Sequence, residues 1–238
     1  MDVSLQLYTI RSETKQDFKK AVRRVGKTGY DGVELAGYGD LSAEEMKELL
    51  QESGLYSVAS HTPQNVFLNS FEEDLKYNSA IGSKYIICPH AKMETRQEVD
   101  AVTDMLNKAA ALAAPYGIKV GYHNHNHEFK KIDGKYILDI IAENTSDDVV
   151  LELDVYWVHN GGEDPVEYIK KWGSKVELIH CKQVGGNGTD VDIPDGVIDM
   201  KKVIEAAKYA KYFIVEQEAF DKPIWESMQR NVDYLKSL

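Results

Sequence analysis

Seven histidines and a small set of acids carry most of the chemistry available to this chain. The histidines are His61, His90, His123, His125, His127, His159 and His180. Each falls at or just beyond the end of a short β-rich run, and none falls in a segment that reads as helix. Acids end the same kind of run. Asp154 closes Leu151-Glu152-Leu153-Asp154, Glu128 follows Tyr122-His123-Asn124-His125-Asn126-His127, and Glu216 and Glu218 close Ile214-Val215-Glu216-Gln217-Glu218. Side chains alternate along a strand, so Val176, Leu178, His180 and Lys182 share a face, as do Glu152 with Asp154 and Glu216 with Glu218. Two or three carboxylates plus an imidazole meeting at one point make a hard, oxygen-rich site. Such a site suits Mn²⁺ or Mg²⁺, with Zn²⁺ also compatible. Without a cation, acids packed so closely would repel one another and resist desolvation.

Positioning these groups requires a repeating scaffold. The β-rich runs are Val3–Tyr8, Gly32–Ala36, Tyr56–Ser60, Tyr85–Cys88, Lys119–His123, Val149–Asp154, Val176–His180 and Phe213–Glu216. Helical patterns lie between and after them, near Gln16–Thr28, Ala43–Glu52, Phe71–Ile81, Gln97–Tyr116, Tyr136–Asn144, Pro165–Trp172, Met200–Tyr209 and Ile224–Leu238. Ser42-Ala43-Glu44-Glu45 and Thr95-Arg96-Gln97-Glu98 read as capping boxes. Asp164-Pro165 sets a capping acid before a proline at a first helical position. Gly29, Gly54 and Gly117 end helical patterns where a left-handed residue is useful. Eight strand–helix units of about 30 residues each predict a parallel sheet closed into a (β/α)8 TIM barrel, with the chemistry on the rim at the strand C-termini. An open doubly wound sheet is the competitor. It is disfavoured because no glycine-rich phosphate loop follows any strand.

The 39 acidic and 28 basic side chains leave a formal net charge of −11, which argues against a nucleic-acid or anionic-membrane surface. No apolar run approaches the ~18 residues of a membrane span. No leader pattern opens the sequence, no linker divides it, and Cys88 and Cys181 read as reduced thiols. The expectation is one cytoplasmic domain over residues 1–238.

The stretches Tyr122-His123-Asn124-His125-Asn126-His127-Glu128-Phe129, Asp154-Val155-Tyr156-Trp157-Val158-His159, Asp164-Pro165, Leu178-Ile179-His180-Cys181-Lys182 and Val215-Glu216-Gln217 resemble the sugar phosphate isomerase/epimerase family. That family belongs to the xylose-isomerase-like TIM barrels, with the inosose dehydratases and endonuclease IV. The resemblance covers essentially the whole chain. It implies a divalent-metal site of Glu128, Asp154, His180 and Glu216. In sister groups the first glutamate sits directly at the end of strand five, where this chain has Tyr122 and His123, so Glu128 would reach back from the loop. The chain also has Gln183 and Glu218 where the family often has aspartates.

The implied activity is isomerisation or epimerisation of a sugar or keto-sugar through an enediolate stabilised by the metal. Glu128 and Glu216 would exchange the proton, and Lys182 would add positive charge near the oxyanion. His61 and His125 would hold hydroxyls, with His123 and Trp157 as further substrate contacts. Trp157 packing beneath the metal is the alternative for that residue. A keto-sugar or keto-inositol dehydratase shares the first step and is the runner-up. An endonuclease IV-like phosphodiesterase, which needs more ligands and a basic crescent, ranks below both, and a binding module with a degenerate metal site is the non-enzymatic reading. Members often form dimers or larger homo-oligomers, but no interface signal stands out here. The bland alternative makes Asp154 and Glu216 interior charges satisfied by salt bridges, and it demands inward bases that the sequence offers sparingly.

Overall fold

The computed structural model describes all 238 residues. Eight strands close a parallel barrel: β1 (Val3–Gln6), β2 (Gly32–Leu35), β3 (Tyr56–His61), β4 (Tyr85–Cys88), β5 (Lys119–His123), β6 (Val149–Asp154), β7 (Val176–Cys181) and β8 (Tyr212–Val215). Each strand pairs with the next, and β8 closes on β1 through Val3 opposite Phe213 and Leu5 opposite Val215. Every expected strand is present, most with ends within one or two residues.

Local signals set the helix limits. Ser42 and Thr95 form complete capping boxes with Glu45 and Glu98. Asp164 accepts from the backbone N–H groups of Val166 and Glu167 and starts Pro165–Trp172. Gly29, Gly54 and Gly117 all have left-handed φ, from 67° to 99°. Three short helices were not expected: Arg11–Gln16, Gln64–Asn69 and Val155–Asn160. A two-stranded hairpin, Lys131–Ile132 with Lys135–Tyr136, turns at Asp133-Gly134, where both residues have positive φ. Asp-Gly is the usual sequence for such a turn. No helix is long and apolar enough to cross a membrane.

Two apolar layers hold the barrel. A cluster of 56 buried residues joins the outer strand faces to the helices, and a smaller one of seven, including Val58, Tyr85, Ile87, Val150, Leu178 and Ile214, fills the interior. Val176 packs in the outer layer, not beside Leu178 as strict alternation would place it. The reason is an irregularity in the β6–β7 ladder, where Leu151 faces Val176 but Glu152 faces Leu178. A matching shift lies between β2 and β3, beside Glu34. Such irregularities re-aim side chains, and both flank an inward glutamate.

Candidate metal and substrate site

At the C-terminal mouth of the barrel, His123 from the end of β5, Asp154 from the end of β6, His180 from β7 and Glu216 just after β8 converge. All four are buried, and one ligand atom from each lies within 4.8 Å of the others. Asp154 Oδ1 accepts the N–H of Trp157 at 3.0 Å and so caps the helix Val155–Asn160. Its Oδ2 is buried with no hydrogen-bond partner. His180 Nδ1 lies 3.2 Å from Glu216 Oε2 and 3.9 Å from Asp154 Oδ2. Two carboxylates and two imidazoles around an unpartnered buried oxygen are a donor set that fits a divalent cation.

A second tier of groups stands beneath. His180 Nε2 is 2.7 Å from Glu34 Oε2 and 3.2 Å from Glu152 Oε2. His61 Nε2 is 2.7 Å and His123 Nδ1 is 3.1 Å from the same Glu152 oxygen. Gln6 Nε2 donates to Glu34 at 2.7 Å. Carboxylate oxygens accept, so His180 Nε2 carries a proton toward Glu34 and Glu152, while Nδ1 faces Asp154 and Glu216.

The burial of so many charges shifts them in opposite directions. Burial, reinforced by Glu152, pushes Glu34 up to about 7. Burial also raises Asp154 to about 7, with Glu216 adding to it and Lys182 opposing. Burial depresses His123 to about 3 and His125 to about 4. Burial likewise opposes charge on His180, but Glu152 and Glu34 outweigh it and hold the imidazolium well above its usual range. Glu216 would be raised by burial, yet Lys182 and His180 carry it well below. The barrel therefore supplies more inward bases than the sequence reading allowed. Even so, the outer oxygens of Glu34, Glu152 and Asp154 remain unpartnered, so ion pairing inside the protein leaves the acids only partly satisfied.

Beside this centre opens a cavity of about 550 Å³, lined in part by His61, His123, His125, Glu216, Glu218, Tyr38 and Asp74. Lys182, 1% exposed, reaches Glu218 at 2.5 Å and Glu216 at 3.6 Å. Its Nζ lies 5.1 Å from the Trp157 ring centroid, and the His125 ring packs 5.3 Å from Trp157. Tyr38 and Asp74 were not singled out from sequence. Asp74 sits on the helix Phe71–Ile81 and accepts from Tyr38 Oη at 2.6 Å and Thr62 Oγ1 at 2.9 Å, a pairing across 36 residues that no local pattern announces.

The structure departs from expectation at Glu128. It is fully buried, but Tyr122 Oη donates to Oε1 at 2.6 Å, the His125 N–H donates to Oε2 at 2.8 Å, and His127 Nε2 lies 2.9 Å from Oε1. The carboxylate pins its own loop and is not brought into the group at the mouth; His123 stands in the fourth position there. His159 lies in the helix Val155–Asn160 and is exposed, and His127 opens the 3-10 turn His127–Phe129. These two break the expectation that every histidine avoids helix. The cap by Asp154 starts a helix directly at the strand end, where a loop was read.

Residues 22–238 match the family model described as xylose isomerase-like TIM barrel. An inosose dehydratase from Clostridium botulinum strain Alaska E43 is 24% identical over 194 residues, which span 70% of this chain and 63% of that protein. A crystal structure of a sugar phosphate isomerase/epimerase from Parabacteroides distasonis ATCC 8503 superposes with a TM-score of 0.84 at 25% identity, covering 99% of this chain and 93% of the other. The IolI protein, solved with a bound zinc atom, superposes with a TM-score of 0.77 at 18% identity over 100% and 97% of the two chains.

Proposed function

The chain belongs to the xylose isomerase-like TIM barrel family, and from that membership and the geometry of the barrel mouth we propose a divalent-metal-dependent isomerase or epimerase of a sugar or keto-sugar. The observation that carries this reading is the buried convergence of His123, Asp154, His180 and Glu216 beside an open cavity. The equal share of nitrogen and oxygen donors favours Mn²⁺ or Zn²⁺ over Mg²⁺. Such an ion supplies Lewis-acid charge that lowers the cost of removing a proton next to a carbonyl.

The chain's own groups supply the rest. His123, Asp154, His180 and Glu216 hold the ion, and Glu216, which also lines the cavity, takes the proton. His61 also lines the cavity wall, with Nε2 hydrogen-bonded to Glu152, and is the second group placed to handle a proton or a hydroxyl. Glu128, held by Tyr122 and His125, takes no part in proton exchange. Lys182 fixes Glu216 and Glu218 and adds positive charge at that wall. His125, packed against Trp157, adds an imidazole surface to the cavity, which Tyr38 and Asp74 also line.

A second reading is dehydration, in which the same proton removal expels a neighbouring hydroxide. The inosose dehydratase among the relatives favours it. Product mass separates the two, since loss of water marks a dehydratase and unchanged mass an isomerase. The shared first step is tested by incubating the metal-loaded protein with keto-sugars and inososes in D₂O. The wild type is expected to incorporate deuterium, and Glu216→Gln should lose roughly 10²-fold or more of that exchange. Undiminished exchange in the variant removes Glu216 from the role.

A further inference from the structure

Three imidazoles outside the carboxylate centre form a group of their own. His90 follows β4, and His125 and His127 sit two residues apart in the loop after β5. One ligand atom from each of the three lies within 4.8 Å of the others. Ring centroids are 5.0 Å apart for His90 and His127, 5.8 Å for His125 and His127, and 5.9 Å for His90 and His125. His90 stands nearly edge-on to both partners, at 74° and 85°. Two elements of the barrel thus bring three rings together from separate directions. Nothing in the proton-transfer chemistry uses His90 or His127.

We propose that His90, His125 and His127 form a second metal site, an all-imidazole one that takes Zn²⁺ in preference to Mn²⁺ or Mg²⁺. Nitrogen donors select borderline cations such as Zn²⁺, whereas Mg²⁺ and Mn²⁺ favour oxygen. Two further observations point to a ligand. His125 Nδ1 is buried with no hydrogen-bond partner. His127 Nε2 lies 2.9 Å from Glu128 Oε1 but, like His125 Nδ1, is buried with no hydrogen-bond partner, so this ring too has a nitrogen free for the cation. Three protein ligands leave a fourth position open. His90 and His125 border the substrate cavity, while His90 and His127 border a neighbouring groove with Lys130 and Lys131. The open position therefore stands at the wall between the two concavities, where an anionic or hydroxyl oxygen of a substrate can occupy it. His125 then meets substrate through the ion. The site stands whether or not the carboxylate centre binds an ion of its own.

The test is metal stoichiometry on chelator-stripped full-length protein, titrated separately with Zn²⁺ and Mn²⁺. The wild type is expected to bind one more Zn²⁺ than Mn²⁺ per chain. His90→Ala, at an exposed position the fold does not need, and His127→Gln should each abolish the extra Zn²⁺ and leave Mn²⁺ binding and the circular dichroism unchanged. In the doubly substituted Asp154→Asn/Glu216→Gln protein, Cu²⁺ should still bind once per chain, with nitrogen hyperfine structure in its electron paramagnetic resonance spectrum. Equal Zn²⁺ and Mn²⁺ stoichiometry in the wild type overturns the proposal, as does an extra Zn²⁺ that survives loss of both His90 and His127. Failure of the carboxylate centre reads differently. The wild type then binds no Mn²⁺, yet a Zn²⁺ ion is present and still disappears with His90.

Discussion

Glu152 Oε2 faces three imidazole nitrogens at once, at 2.7 Å from His61, 3.1 Å from His123 and 3.2 Å from His180. Two of those rings belong to the group proposed to hold the cation, so one buried carboxylate fixes the orientation and tautomer of both. Outer partners of this kind typically contribute 10–100-fold to metal affinity. Glu152→Gln keeps the shape but loses the charge, and it should weaken Mn²⁺ binding by roughly 10-fold or more, read from the dissociation constant by electron paramagnetic resonance titration. An unchanged constant would show that Glu152 only fills space. At this scale the sequence was partly legible. Alternation along Leu151-Glu152-Leu153-Asp154 puts both acids on one face, and Asp154, His180 and Glu216 do meet. Glu34 and Glu152 were not singled out as site residues, because an inward acid is informative only once its imidazole partners are known, and those come from β3, β5 and β7. His123 was assigned to substrate, since the alternating His and Asn residues do not reveal which ring points inward.

The loop after β5 is the element on which expectation and structure diverge most. Its length allows Glu128 to swing either toward the metal centre or back onto its own strand. The second outcome wins because the buried Tyr122 hydroxyl and the His125 N–H both need an acceptor, and an unpartnered polar group in such a place costs about 1–3 kcal/mol. Glu128→Ala leaves both unmatched and is expected to destabilise the fold by a few kcal/mol in denaturant titration, while one Mn²⁺ per chain is retained. Loss of that ion at unchanged stability would instead make Glu128 a ligand. Strands and long helices were legible because their signals are local: capping boxes at Ser42 and Thr95, and left-handed glycines at helix ends. The short helices Gln64–Asn69 and Val155–Asn160 were not, since each spans six residues, too few for a period to emerge. Inside the strands, space is as tight as the pattern implies. A Cβ on Gly121 would lie 2.5 Å from Ile87 Cδ1 and 3.0 Å from Val150 Cγ2. Gly121→Ala should therefore cost about 1–3 kcal/mol by overpacking, measured by thermal or chemical unfolding. No loss of stability would mean that the interior layer can shift to accept it.

A closed barrel has two ends, and this one separates function from stability between them. Reactive groups crowd the C-terminal mouth. At the opposite end Glu177 closes the floor, with Lys119 Nζ at 2.6 Å, Tyr85 Oη at 2.7 Å and Lys211 Nζ at 2.9 Å. These partners come from β4, β5 and the segment leading into β8, so a single carboxylate ties three parts of the cylinder to β7. Burial pushes the Glu177 carboxyl up, but its bonds to Lys119, Lys211 and Tyr85 pull it further down, to a net value below the usual glutamate range. The sign of the consequence follows from linkage. The unfolded chain takes up the proton at the ordinary glutamate value near 4.5, whereas the folded chain resists it to lower pH. Stability from this contact is therefore complete above that value and is lost as pH falls toward the folded one. None of the groups on the floor belongs to the proposed metal centre, so the acid sensitivity should be visible with metal removed. Chemical unfolding of the stripped protein from about pH 5 down to about pH 3 should show a falling free energy. In Glu177→Gln the fall should be shallower and the stability near neutrality lower, because Gln keeps the hydrogen bond to Tyr85 but no charge for the two lysines. Parallel curves for the two proteins would mean that the floor contributes nothing to the acid dependence and that the charges at the mouth set it instead.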